Sequence, residues 1–194
     1  MSILDFNRPV YNNHEIATGK LLIADPFLAD ANFSRSVVLL CEHGEEGTVG
    51  FVLNNNTDII IGDLLPEISA ATLVVGQGGP VQTDTLHMIH RIHDVLGGNK
   101  VVDGVYWGGS YETLQAILAG NSYDNDKLQL FVGYSGWSPG QLQEEIEQRS
   151  WIVTDFAPHI LFETDTDDMW KAAIISLGKD YEYLINLPIN PQLN

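Results

Sequence analysis

Short runs rich in β-branched and aromatic residues, most of them closed off by Gly, Asn or Asp, recur along this chain and restrict its folding more than any other feature. Runs of this length and composition fit strands, and the residues between them supply turns. The pattern predicts strands over 20–24, 36–43, 48–54, 72–75, 85–92, 101–107, 128–134, 151–154 and 159–162. Gly44-Glu45-Glu46-Gly47 reads as the loop of a hairpin. Three helices have legible ends. Ser110 caps one with Leu114, Ile117 and Leu118 on a face, stopped by Gly120. Ser138-Pro139-Gly140-Gln141 has the form of a capping box with proline at the first helical position, opening a helix to about Gln148 whose exposed face carries Glu144, Glu145 and Glu147. Asp165 caps a third, with Met169, Trp170, Ala173, Ile174 and Leu177 at helical spacing before Gly178. Near-consecutive strands with few helices between them favour an α+β layout over a doubly wound parallel sheet.

With 194 residues and 44% apolar content the chain can fill one sizeable core, so residues 1–194 read as a single domain. Residues 1–18 read as an N-terminal arm or short helix, and 184–194, with Pro188 and Pro191, as an extended C-terminal tail. The formal charge is −17, and the nine basic residues are scattered singly. Binding to nucleic acid rests on clustered cations that neutralise phosphates, so direct nucleic-acid contact is not expected, and attraction to anionic membrane surfaces is opposed in the same way. No apolar run is long enough to span a membrane. Cys41 is the one cysteine, and the start of the chain lacks a basic region followed by an apolar run; the cytoplasm is the expected compartment.

Gly133-Tyr134-Ser135-Gly136, followed by Asp155 and His159, has the chain order of an α/β-hydrolase triad. The nucleophile elbow needs glycine two residues after the serine, and Trp137 stands there, so a Gly-Ser turn is the better reading and Ser135 is not expected to be a nucleophile. His87, His90 and His93 would converge only on a helix; on a strand His87 and His90 face opposite ways, and no metal site is expected. Cys41 and His43 share a strand face without a second ligand pair, which leaves Cys41 as a small core residue. Gly76-Gln77-Gly78-Gly79-Pro80 lacks the Lys-Ser/Thr of a phosphate loop and reads as a tight turn. Trp107, Trp137, Trp151 and Trp170 read as core, although Trp137, in a Gly-flanked loop, could equally line a pocket. No cofactor is implied.

Several of these segments occur together: Gly19-Lys20-Leu21-Leu22-Ile23-Ala24 with Pro26; Phe33-Ser34-Arg35-Ser36-Val37-Val38 leading to Cys41-Glu42-His43; Gly50-Phe51-Val52-Leu53-Asn54; Gly78-Gly79-Pro80-Val81 with Asp84 and His90; and Gly133-Tyr134-Ser135-Gly136-Trp137 before Gly140-Gln141-Leu142 and Trp151. In that order, over almost the whole chain, they resemble the YqgE/AlgH family of bacterial proteins. The departures are Asn54-Asn55-Asn56 in place of an asparagine-basic-proline turn, and His87 in place of an aromatic. The resemblance implies an α+β fold with a strongly curved, partly barrel-like sheet. It brings no catalytic residue with it, although some members carry the label of transcriptional regulator.

The matching segments set Arg35, Ser36, His43, Asn54, Asp84 and His90 among apolar neighbours, and buried polar groups must be paired or functional. Together with Gly79 and Trp137 they form the candidate cluster. In its structural reading Arg35 is a buried hub bonded to carbonyls and Asp84; in its functional reading Arg35 and the amides around Gly79 hold a small anionic ligand. The leading functional expectation is a regulatory or ligand-binding protein that acts through a partner rather than by direct DNA contact. An enzyme using His43 or His90 for acid-base chemistry comes second, without a complete catalytic constellation.

Overall fold

A computed structural model describes residues 11, 14–68, 71–120, 123–124 and 126–187. Most of the predicted N-terminal arm (1–10, 12 and 13) and residues 188–194 of the predicted tail lie outside the described residues. Among the described residues there are ten strands: β1 (Lys20–Ala24), β2 (Val37–Gly44), β3 (Gly47–Val52), β4 (Asn56–Ile60), β5 (Val74–Gln77), β6 (Val81–His90), β7 (Asn99–Val102), β8 (Val105–Trp107), β9 (Leu128–Trp137) and β10 (Trp151–Asp155). The helices are α1 (Ile61–Leu64), α2 (His93–Leu96), α3 (Tyr111–Ala119), α4 (Gln141–Glu147), α5 (Pro158–Phe162) and α6 (Thr166–Ser176). The strands form one curled, mainly antiparallel sheet in the order β10-β1-β2-β3-β9-β6-β8-β7, with β5 parallel to β9 and β4 antiparallel to β5. This is the α+β, half-barrel architecture expected.

β9 organises the sheet. Along its first half it lies between β5 and β6, pairing Leu130–Val132 with Val75–Gln77 on one side; past Gly133, which takes φ +66°, its last residues pair with β3 instead. Only glycine adopts that φ without strain, so the strand changes partners there. Alternation along β1 and β2 sends Leu21, Ile23, Val37, Leu39 and Cys41 into one core beneath α5 and α6, and Leu22, Ala24, Val38 and Leu40 into a second core beneath α4. Both faces are covered, which explains why Leu21-Leu22-Ile23-Ala24 is continuously apolar although its partners run antiparallel. A third cluster joins Leu114 and Leu118 of α3 to Val75, Met88, Leu128 and Leu130 of the sheet.

The structure departs from the predicted elements in several places. Residues 158–162 form α5 rather than a strand; Pro158 occupies the first turn and Ile160, Leu161 and Phe162 are all buried, and a short apolar run of this kind has no period to tell the two apart. The 101–107 segment is split into β7 and β8 by a turn at Asp103-Gly104, where Gly104 has φ +72°. β4, α1 and α2 were not anticipated. Helix α4 starts two residues late: Gly140, at φ +81°, is its N-cap and Pro139 lies outside it, although Gln141 Oε1 does accept from the Ser138 N–H in the manner of a capping box. Ser110 caps α3 as expected, whereas Asp165 precedes α6 without a side-chain cap bond. Residues Glu182–Asn186 form a 3-10 turn with Leu184 buried, so the extended tail does not begin at 184. Among the described residues no helix is long and apolar enough to cross a membrane.

Candidate functional site

The glycine motifs meet where β5, β3 and β9 cross. The Gly78 N–H donates to Val132 O (2.9 Å), and Gly78 O accepts from the Val52 N–H (2.8 Å) and from Ser135 Oγ (3.0 Å). A Cβ on Gly79 would lie 2.3 Å from the carbonyl carbon and oxygen of Tyr134, and one on Gly78 would lie 2.5 Å from Gly133 O. The segment read as a tight turn is therefore the end of a strand followed by a backbone crossing. Ser135 is fully buried with its hydroxyl donated to a carbonyl. Asp155, the acid of the hydrolase-like order, is engaged elsewhere: it takes Lys20 and His14, and the hydrogen bond from Lys20 holds its carboxyl below the usual range.

Arg35, Ser36 and Asn54 come together at the start of β2. Asn54 bridges the turn, accepting from the Val37 N–H at 2.9 Å and donating to Arg35 O at 3.0 Å, which supports the φ of +51° at Arg35. The Arg35 guanidinium lies 4.7 Å from the centre of the Trp170 ring and donates through Nη2 to Leu187 O, while Trp170 Nε1 donates to Ala24 O. Arg35 is half-buried, and Asp84 is not its partner: Asp84 is exposed in the irregular stretch of β6 between Val81 and Leu86. A carbonyl and an indole face take the place of the expected carboxylate. Arg35 Nε and Ser36 Oγ are buried without a hydrogen-bond partner among the described residues.

The histidines do not converge on one point, although His90 and His93 both stack on Tyr106. His43 is exposed and bonds Thr48 Oγ1 at 2.7 Å. His87 packs against Phe51, Trp107 and Tyr134, and His93 stacks on Tyr106 at 4.2 Å. His90 is fully buried: its Nδ1 accepts from the Ile92 N–H, which leaves Nε2 to donate to Gly108 O at 2.8 Å. Burial pushes the pKa of His90, and of His87, below the ordinary histidine value. Because the folded form disfavours the proton while the unfolded chain takes it up near pH 6.5, stability is fully present above that pH and is lost as pH falls through the folded pKa. The melting temperature should therefore fall as pH drops below about 6.5, and His90→Gln should flatten this part of the profile; an unchanged slope in that variant would count against the assignment. Cys41 is buried and its thiol is pushed far up by desolvation, in keeping with a core role.

Trp137 lines a cavity of about 300 Å³ with Phe33, Trp151, Glu145, Gln141, Asp30, Pro80 and others. Phe33 stacks near-parallel on Trp137 (6.1 Å between centroids) and meets Trp151 edge-on at 5.5 Å, and the two indoles are themselves edge to face. Glu145 Oε2 accepts from both indole N–H groups, at 3.0 Å from Trp137 and 2.8 Å from Trp151, and Oε1 accepts from Gln141 Nε2 at 2.9 Å. Sequence reasoning placed Glu145 on a solvated helix face and missed this role. The signal available was the i,i+4 spacing of Gln141 and Glu145 just after Trp137. Of the candidate cluster, the structure thus groups Arg35, Ser36 and Asn54, puts Gly79 in the strand crossing and Trp137 in the cavity, and leaves His43, Asp84 and His90 apart.

A curled sheet whose central strand changes partners at a glycine crossing, covered on both faces by short helices, defines the structural class. The profile of the AlgH-like family (DUF179) matches residues 21–182, and the chain belongs to that family. It is 39% identical over 181 residues to a UPF0301 protein of Cytophaga hutchinsonii, covering 92% of this chain and 100% of the other. It is 38% identical over 185 residues to a UPF0301 protein of Bacteroides thetaiotaomicron, covering 94% of each. The solution structure of the AlgH protein from Pseudomonas aeruginosa matches with a TM-score of 0.71 at 28% identity, over 94% of this chain and 97% of that one. The crystal structure of protein DIP2367 from Corynebacterium diphtheriae matches in fold with a TM-score of 0.74 at 23% identity, over 89% and 93%.

Proposed function

We propose that this AlgH-like protein is a non-catalytic binding protein in a regulatory role, acting in the cytoplasm through a partner rather than by touching DNA. The observation that carries the reading is a contrast in how side chains are used. Ser135 and His90 are buried with their polar atoms committed to the backbone, and Cys41 is a buried core thiol, whereas the Phe33/Trp137/Trp151 cavity leads to the surface with a carboxylate in its wall. An anion at Arg35 is served less well, because its guanidinium already has the Leu187 carbonyl and the Trp170 ring. The −17 charge further supports a mode of action without direct DNA contact. Titration with random duplex DNA at about 150 mM salt is expected to give no saturable binding; a micromolar or tighter dissociation constant would refute this reading.

A further inference from the structure

We propose that the Phe33/Trp137/Trp151 cavity receives the cationic side chain of a basic segment on a partner protein, an inference that rests on the binding-protein reading. The choice of a cation follows from where the donors of the cavity go. Trp137 Nε1, Trp151 Nε1 and Gln141 Nε2 are the side-chain nitrogens of the lining, and all three donate to Glu145. Both indole N–H groups and one of the two Gln141 amide hydrogens are thus taken, so an anion would find no free indole donor and would face the carboxylates of Glu145 and Asp30. What the cavity still offers is aromatic surface and negative charge, the combination that attracts a guanidinium or ammonium group. The indole donors hold the Glu145 carboxylate in place, so its charge is positioned before any ligand arrives.

Size and surroundings point to a protein side chain as the source. At about 300 Å³ the cavity is at the small end of ligand sites and suits one side chain with its aliphatic stem. Beside it α4 exposes Glu144 and Glu147, and the chain as a whole is strongly acidic, so a segment bearing several positive charges is drawn to this face while one of them enters.

The test follows the four indole N–H resonances by NMR while acetyl-Gly-Arg-Gly-amide is added, with the citrulline and glutamate tripeptides as neutral and anionic counterparts. The arginine peptide should shift Trp137 and Trp151 saturably, with a dissociation constant on the order of 1 mM, and leave Trp170 unmoved. The citrulline peptide should bind at least about fivefold more weakly, and Glu145→Gln, which keeps an acceptor for the indoles, should weaken the arginine peptide by a similar factor. Phe33→Ala provides a second variant, and an unchanged Trp170 resonance reports that either variant is folded. Equal binding of the citrulline peptide, indifference to Glu145→Gln in the folded variant, or no shift of Trp137 and Trp151 would overturn the proposal. Should a non-cationic compound shift these indoles instead, the cation assignment fails and the binding-protein reading stands; saturable DNA binding would bring down that reading whatever the peptides do.

Discussion

Gly79→Ala is expected to destabilise the fold by about 4 kcal/mol or more, enough to remove most of the stability of a domain of this size. The added Cβ would sit 2.3 Å from the Tyr134 carbonyl and 2.5 Å from Ser135 N, atoms of the main chain in the part of β9 that passes from β5 to β3. Relief requires moving one strand off another, which would also disturb the bonds that Val52 and Ser135 make to Gly78 O. The position also has φ +154°, outside the range that side-chain-bearing residues favour. Gly97→Ala is the control. Gly97 has φ +74° and ψ −135° but nothing within 4 Å of its built Cβ, so only the backbone cost of about 1–3 kcal/mol applies. Chemical denaturation of the two variants separates steric crowding from backbone conformation, and similar losses in both would contradict the crossing as described.

Glu145→Ala is expected to cost about 3 kcal/mol, while Glu145→Gln should stay within about 1 kcal/mol of the parent. Trp137 and Trp151 are 5% and 1% exposed, and each has its indole N–H on the one Glu145 oxygen. Truncation strands two buried donors at once, and each unsatisfied donor costs about 1–3 kcal/mol. Glutamine retains a carbonyl oxygen for the two indoles at the same reach, and loses the charge and the acceptor for the exposed Gln141 amide. Urea unfolding followed by tryptophan fluorescence measures both; a glutamine variant as unstable as the alanine one would mean that the charge, not the acceptor, holds the indoles.

Much of the fold was legible because alternation and turn residues are local signals. Leu21 to Ala24, Val37 to His43 and Leu128 to Tyr134 read as strands from composition alone and are strands. Failures came where the deciding interaction is distant in sequence. Residues 158–162 are helical although their apolar run carries no period, and Asn56, which looked like part of a turn, belongs to a strand paired with Gly76. The candidate site divides in the same way. Arg35 and Asn54 do meet, because Asn54, just past the end of β3, donates to the Arg35 carbonyl and accepts from the first residue of the neighbouring β2. Asp84 was not their partner, since an irregular stretch of β6 leaves it outside, and nothing in the sequence shows such irregularities. Glu145 looked like one of several solvated acids on α4; its selection by two indoles depends on Trp151 being placed beside Trp137 by the sheet.

The most direct test of the binding-protein account is a thermal-shift measurement of the parent chain and Glu145→Gln across a panel of guanidines, amines, carboxylates and phosphates. A ligand that binds only the folded state raises the melting temperature by mass action, about 2.7 kcal/mol of stabilisation at a hundredfold excess over its dissociation constant. The account predicts that the stabilising compounds are cations, that they are recovered unchanged, and that their effect shrinks in Glu145→Gln while its unliganded melting temperature stays close to the parent's. Stabilisation confined to anions, or turnover of a stabilising compound, would contradict it.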